Sequence, residues 1–461
     1  MALGNRKWNK EMIGVILTLA WPTMLEQAMQ TAVQYVDTAM VGSLGTQATA
    51  AVGATSTVSW LVGSSTAALG IGFLSYIARA QGAGDGERAK RASAQAVLTV
   101  LVVGSLFTAL CLGLSSYVPV WMQVEPAIRS LTARYFAILY APMLFRTAST
   151  VFGMVLRSAG DTKSPMKIGV WVNITNVVLN FLLIYPTRPM KLLGVEFTMP
   201  GAGLGVIGAA LASAAAFVFG GMAITVVLWK HPTISPRGKS VAPDLEILKP
   251  CLKVALPNML QRFGTSLGYV AFASMVNSLG EVATAAHTIA NTVESAFYIP
   301  GYGMQTAAAT LAGNAYGARD GKRMKEVADM FLPIEVILMV ISGGALFLMA
   351  PMLMGIFSKS QEVIDLGTTV LRMVALSEPF YGVSIIVEGL MQGVGRTKAP
   401  FVFNICGMWG VRSVGTYIVT QLFAFGLVGA WGCMIAHNMV LFVLFAVLYL
   451  RGSWNPLKEC A

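Results

Sequence analysis

Charge is what this chain has least of: Lys, Arg, Asp and Glu supply 11% of its 461 residues, where soluble domains carry roughly 25%. With mean hydropathy at +0.68, a water-soluble globular protein is excluded. Cysteine is also sparse. Cys111, Cys251, Cys406, Cys433 and Cys460 are odd in number and fall mostly in apolar segments, so neither a disulfide framework nor a metal-ligand spacing follows. There is no HExxH pair, no Walker loop and no phosphate-cradling glycine run ahead of a soluble-domain helix, which argues against ATP-driven transport by this chain alone. The apolar stretches lack the alternating segments of about 10 residues that a membrane β-barrel requires. No small-residue cleavage site follows Arg6, Lys7 and Lys10, and the apolar run continues into Glu26, so the first stretch reads as an uncleaved helix.

What remains is a series of long apolar runs. At about 20 residues per crossing, they predict helices at 13–40, 48–78, 93–118, 130–156, 165–186, 203–229, 247–279, 283–313, 327–355, 366–392, 399–422 and 426–450. The expected fold class is an all-α polytopic membrane protein with about twelve transmembrane helices. The net charge of +11 has a positional explanation. One set of loops holds Arg6/Lys7/Lys10, Arg79/Arg88/Lys90/Arg91, Arg157/Lys163/Lys167, Lys230/Arg237/Lys239/Lys249/Lys253, Arg319/Lys322/Arg323/Lys325, Arg396/Lys398 and Arg451/Lys458; the other offers little beyond Arg129, Arg188, Lys191 and Lys359. By the positive-inside rule both termini are cytoplasmic, and no nucleic acid is needed to explain the charge.

An offset of 235 residues aligns WPTMLEQAMQTAVQYVDTAMVGSLGTQATAAVG at 21–53 with LPNMLQRFGTSLGYVAFASMVNSLGEVATAAHT at 256–288 without a gap. The same offset matches ARAQGAGDGERAK at 78–90 with GNAYGARDGKRMK at 313–325, and GDTKSP at 160–165 with GRTKAP at 395–400. This is an internal repeat. Six helices per unit is an even number, so the second copy starts on the side where the first began, and two parallel six-helix halves follow. The division expected is 1–230 for the first half, 231–246 for a cytoplasmic linker and 247–461 for the second half.

The first helix carries Glu26, Gln27, Gln30, Gln34 and Asp37 among apolar residues. A carboxylate there costs about 2.5 to 3.5 kcal/mol, so it should face a cavity or a partner. Helical spacing puts Glu26, Gln30, Gln34 and Asp37 on one polar stripe; the glutamines serve either a cavity or hydrogen bonds between helices. On the fifth helix Asn173, Asn176 and Asn180 share a face and could complete a cation or proton site without adding charge. Second-half acids lie elsewhere: Glu294 stands opposite Ser59 in the repeat and Glu388 opposite Gly153, either as ion ligands or as counter-charges to Arg262 and Arg412. Arg146 is a candidate partner for a first-half acid, whereas His287 and His437 read as satisfied core residues. The 26 methionines, with Tyr35, Trp60, Tyr140 and Trp171, offer either soft walls for flat cations or plain packing. Pro22, Pro142, Pro257, Pro300 and Pro379 favour kinks, and YIPGYG around Pro300 predicts a local unwinding.

LAWPTMLEQAMQTAVQYVDTAMVGSLG, LRSAGDTKSPM, GLGVIGAALAS and their second-half counterparts resemble the multidrug and toxic compound extrusion (MATE) transporters over nearly the whole chain. That resemblance implies an antiporter that exports organic, often cationic, compounds in exchange for H+ or Na+. It also implies that Asp37 is the first-helix aspartate, Pro22 its helix-bending proline, and Asn176 and Asn180 the fifth-helix pair of the cation-coupling site. There are departures. One branch has an aspartate at the place of Asn180, and another carries acids near Thr265 and Tyr381, neither of which is acidic here. Glu26, Gln30, Gln34, Tyr35, Trp60, Glu294 and Glu388 remain the substrate or cavity candidates. No cofactor beyond the coupling ion is expected; the partners are small organic cations and the bilayer of the cell membrane, with a monomer as the working unit. A flippase for a lipid-linked saccharide is the alternative, although it should line its cavity with bases. An intramembrane enzyme is the third, against which stand the missing catalytic motifs and the whole-chain repeat.

Overall fold

The computed structural model describes residues 10–192 and 195–458; Arg6, Lys7 and Cys460 lie outside them. Its longer helices are α1 (Lys10–Gly42), α2 (Thr46–Gly82), α3 (Gly86–Leu114), α4 (Arg129–Tyr140), α5 (Met143–Ser158), α6 (Lys163–Leu183), α7 (Gly205–Lys230), α8 (Leu245–Asn277), α9 (Glu281–Gly317), α10 (Gly321–Phe357), α11 (Gln361–Ala375), α12 (Glu378–Gly393), α13 (Lys398–Cys406) and α14 (Gly426–Leu450). Among the described residues seven helices are long and apolar enough to cross a membrane, and nine if each of the bent pairs α4–α5 and α11–α12 counts as one span. α2, α9 and α10 have 37 residues each, about 55 Å at 1.5 Å per residue, so they outreach a hydrocarbon core of about 30 Å.

The repeat is visible in the backbone. α2 and α9 begin and end 235 residues apart, as do the starts of α3 and α10 and of α6 and α13. The bends recur too, 46° between Tyr140 and Met143 and 52° between Ala375 and Glu378. Pro142 and Pro379 therefore break their segments, as their missing N–H predicts. Pro22 and Pro300 do not: α1 and α9 run through them, and YIPGYG is helical throughout. Packing is close there: a Cβ at Gly303 would come within 2.8 Å of the Met24 backbone nitrogen, and one at Gly301 would meet the ends of the Met339 and Glu335 side chains. Two further differences from expectation are local. The α6–α7 connection is an antiparallel hairpin, β1 (Pro186–Leu192) with β2 (Val195–Ala202), and the segment after α13 contains two π-helical stretches, Gly407–Ser413 and Ile418–Leu422.

Packing groups the chain into two units, one of residues 26–73 and 86–249, the other of 10–25, 74–85 and 250–458. α1 and α2 each contribute to both, so packing does not follow the division at 230 and 247. The reason lies at Gly82 and Gly317, which are repeat mates. Gly82 meets the backbone of Asn314 and Gly317 meets that of Arg79, itself the mate of Asn314, so α2 and α9 cross reciprocally with no room for a side chain at either glycine. Ser75 Oγ donates to Gly393 O at 3.0 Å in the same unit. The other unit includes the linker, which is fastened to α3. Gln95, 2% exposed, donates to Ala242 O at 2.8 Å and accepts from Asp244 N at 3.0 Å. Arg91 meets Asp244 at 2.5 Å, and Lys239 pairs with Glu87.

Helix connections keep their left-handed positions in both copies: Gly45 and Gly280 at φ 112° and 109°, Gly160 and Gly395 at 84° and 81°. At the third such position Gly84 (φ 72°) is matched by Arg319 (φ 55°), where a side chain is strained. Arg319→Gly is expected to stabilise the protein by about 0.5 to 1 kcal/mol, read as a higher thermal midpoint in detergent. The linker clasp gives a second expectation. Hydrogen bonding from Lys239, then from Lys90, holds the Glu87 carboxyl below its usual range, so its contribution persists at neutral pH and fades as pH falls through and below that range. Exposed pairs of this kind are worth little, whereas Gln95 is buried. Hydrogen exchange over 236–246 should therefore accelerate markedly in Gln95→Ala and only slightly in Glu87→Gln; the reverse order would place the clasp in the ion pairs.

Candidate functional site

Three helices position the first-half cluster. Asp37 projects from α1 toward α6, whose Asn176 and Asn180 are one turn apart and therefore on one face. Asn180, 1% exposed, donates from Nδ2 to Asp37 Oδ1 at 2.5 Å. With the Asn176 amide oriented so that both of its ends are satisfied, Nδ2 donates to Asp37 Oδ1 at 2.8 Å and Oδ1 accepts from Ser213 Oγ of α7 at 3.0 Å. A carboxylate is thus held by two amides with no ion pair to a base among the described residues, an arrangement that could exchange a proton or a small cation for those hydrogen bonds. Asn173 is buried nearby on the helix, and its Nδ2 has no partner among the described residues.

Glu26 is differently engaged. It forms an ion pair with Arg157 of α5, with the two side chains 12% and 11% exposed. The base beside a first-half acid is therefore Arg157, which its sequence context places in a loop, and not Arg146. Arg146 lies over the Tyr140 and Phe217 rings at 5.8 and 4.9 Å. Gln30, Gln34, Tyr35 and Trp60 are exposed, and so is Trp171.

In the second half Glu388 of α12 accepts from Gln261 Nε2 at 2.9 Å, Gln392 Nε2 at 3.2 Å and Asn404 Nδ2 at 3.2 Å. Glu294 is buried within electrostatic reach of Arg412. Arg412 is 2% exposed and stacks on Tyr269 and Phe272 at 4.4 and 4.3 Å. His287 accepts from Trp431 Nε1 at 3.2 Å, as a satisfied core residue should. His437 departs from that expectation, because neither ring nitrogen has a partner among the described residues. Two buried acids went unseen in the sequence, Glu335 and Glu378, at 0% and 2% exposure. Glu335 belongs to the apolar run of α10, where a single acid carries no periodic signal. Gln392 and Asn404 could have been found from the repeat, since they stand opposite Arg157 and Gly169.

Long apolar helices in two repeated sets, with buried carboxylates gathered on amide and guanidinium partners, define the class as a multi-pass membrane transporter. The MatE family profile matches residues 22–182 and 257–418, and the chain belongs to that family, the multidrug and toxic compound extrusion transporters. A probable multidrug resistance protein, NorM of Thermotoga maritima, is 27% identical over 440 residues, covering 95% of this chain and 92% of that protein. A crystal structure of a MATE protein in complex with MaL6 superposes with a TM-score of 0.89 at 24% identity, over 96% of this chain and 97% of that one. A Pyrococcus furiosus transporter of the MOP superfamily, described as having a binding pocket of reversed polarity that suggests a different function, gives 0.87 at 26% identity over 96% of each chain.

The Glu26–Arg157 pair is open to a direct test. Arg157→Gln leaves a carboxylate buried without its counter-charge and should cost about 3 to 5 kcal/mol, while adding Glu26→Gln should restore most of it. Thermal unfolding of the two single mutants and the double mutant measures the coupling; additive losses would show that the pair does not act as a unit.

Proposed function

We propose that this chain is a secondary antiporter of the cell membrane, working as a monomer with both termini cytoplasmic, and that it exports organic, chiefly cationic, compounds in exchange for H+ or Na+. The observation that carries the reading is the Asp37 carboxylate held by Asn180 and Asn176. Substrate and coupling ion compete for that negative charge, directly or by favouring different conformers. Entry of one proton down about 100 mV supplies about 2.3 kcal/mol and one pH unit about 1.4 more, enough for a gradient of several hundredfold. The engagement of Arg157 with Glu26, and of Arg146 with aromatic rings, favours cation export over a flippase that would need bases for an anionic headgroup.

The test is dye movement in proteoliposomes, using ethidium, with a pH gradient and a Na+ gradient imposed separately. Export driven by either gradient and lost in Asp37→Asn, with expression and folding unchanged, is the expected result. Undiminished export by Asp37→Asn would remove the carboxylate from the mechanism. Failure of both gradients to move the dye would turn the question to lipid-linked substrates.

A further inference from the structure

The 235-residue offset pairs the Asp37 cluster with a place of opposite polarity in the other copy. In the first copy Asn180 of α6 meets Asp37 of α1. Asp37 is matched by Phe272 in the second copy, Asn180 by Gly415 and Val177 by Arg412. Arg412 lies over the Phe272 ring at 4.3 Å and over the Tyr269 ring at 4.4 Å, both on α8. An acid held by amides has become a ring faced by a guanidinium. The backbone differs as well: Arg412 stands in the π-helical stretch Gly407–Ser413, where α6 is a regular helix, and such stretches are frequent at functional sites.

Arg412 is 2% exposed, and its charge is permanent. Nε and Nη2, the two prongs of one edge of the guanidinium, have no acceptor among the described residues. That edge is the one that grips an anion with two parallel N–H donors. The rings attract the charge but accept no ordinary hydrogen bond. His437 of α14 belongs to the same neighbourhood. A Cβ at Gly407 would come within 2.6 Å of His437 Cδ2, and Gly407 precedes Arg412 by one π turn, hence on the same face. His437 is 5% exposed, and neither ring nitrogen has a partner among the described residues. Whichever nitrogen carries the proton can donate it.

Glu294 of α9 lies within electrostatic reach of Arg412 without an ion pair to it among the described residues. Water would satisfy the open donors and leave the charge, and a buried charge without compensation is the costlier fault. A fork of two donors, an imidazole N–H from another element and one positive charge suit a small monovalent anion. A halide accepts donors from any direction, so it fits this divided set better than a planar carboxylate does.

We propose that Arg412 and His437 form a binding site for a small monovalent anion of the chloride kind, at the second-half counterpart of the Asp37 cluster. The site does not depend on the coupling role given to Asp37.

The experiment is equilibrium binding of radiolabelled chloride to the purified full-length chain in detergent, with gluconate as the replacing anion at constant pH and ionic strength, together with thermal unfolding under the same exchange. The wild type should bind chloride saturably, and its midpoint should rise, each tenfold increase above the dissociation constant raising the folded-to-unfolded ratio by about tenfold. Arg412→Gln should lose both responses. His437→Phe, which keeps a ring and removes the donor, should weaken binding several-fold. Glu294→Gln, which removes the opposing charge, should strengthen it several-fold, and Asp37→Asn should leave it unchanged. Absence of saturable chloride binding by the wild type overturns the proposal. So does undiminished binding by Arg412→Gln or, where that chain does not fold, by His437→Phe. Binding that appears only in Glu294→Gln assigns the guanidinium edge to the Glu294 carboxylate, and that result also overturns the site.

Discussion

A carboxylate inside a bundle of membrane helices must be met by something, and the structure is arranged around how each acid is met. Charge without a partner in such a place is far costlier than a lost hydrogen bond. Glu26 has a guanidinium, Asp37 two amides, and Glu388 three. Glu294 has Arg412 within electrostatic reach. These answers are not equivalent. A guanidinium is a permanent charge that closes the site it occupies, whereas an amide can donate to an anion or, turned over, accept alongside it. Asp37 and Glu388 are therefore acids whose environment can accommodate a change of charge, and Glu26 is one whose environment opposes it. Glu335, with neither oxygen partnered among the described residues, is the acid for which packing provides least.

Duplication explains why these differences can exist on one scaffold. The two copies keep the ends of α2 and α9, the bends at 140/143 and 375/378, and the left-handed positions at 45/280 and 160/395. Those features are set by backbone geometry and by close packing at glycine, which tolerate little change. Side chains pointing into the polar clusters are under no such restriction. Glu26 is matched by Gln261, Asp37 by Phe272 and Arg157 by Gln392, so charge has been redistributed while the helices stayed in register.

This also decides what could be read from the sequence. The helical class, the repeat and the pairing of Asp37 with the α6 amides were legible, because apolar length, a fixed offset and one-face spacing each leave a periodic trace. The ion pair of Glu26 was not. Arg157 sits in a basic stretch whose neighbours are loop residues, and only the fold carries it back to α1. Glu335 and Glu378 were invisible for the opposite reason, being single acids in segments whose pattern is otherwise apolar. The expected unwinding at Pro300 is not found: the helix runs on through a turn where Gly303 packs against the Met24 backbone, a long-range contact that the local sequence does not reveal.

Pro22 and Pro300 then acquire a meaning other than kinks. Each removes one backbone hydrogen bond from a helix that nevertheless continues. Thr23 Oγ1 turns back to Ala20 O at 2.7 Å and also reaches Gly303 O at 3.1 Å, so the proline turn of α1 is bonded directly to that of α9. Packing of α1 changes from one unit to the other between Leu25 and Glu26, within one turn of Pro22. A helix shared by two packing units is weakest where its own ladder is interrupted, and here the interruption falls at the change of unit. Glu26 and Asp37 both lie beyond that point, in the unit that contains α5 and α6, which is why their partners are Arg157, Asn176 and Asn180.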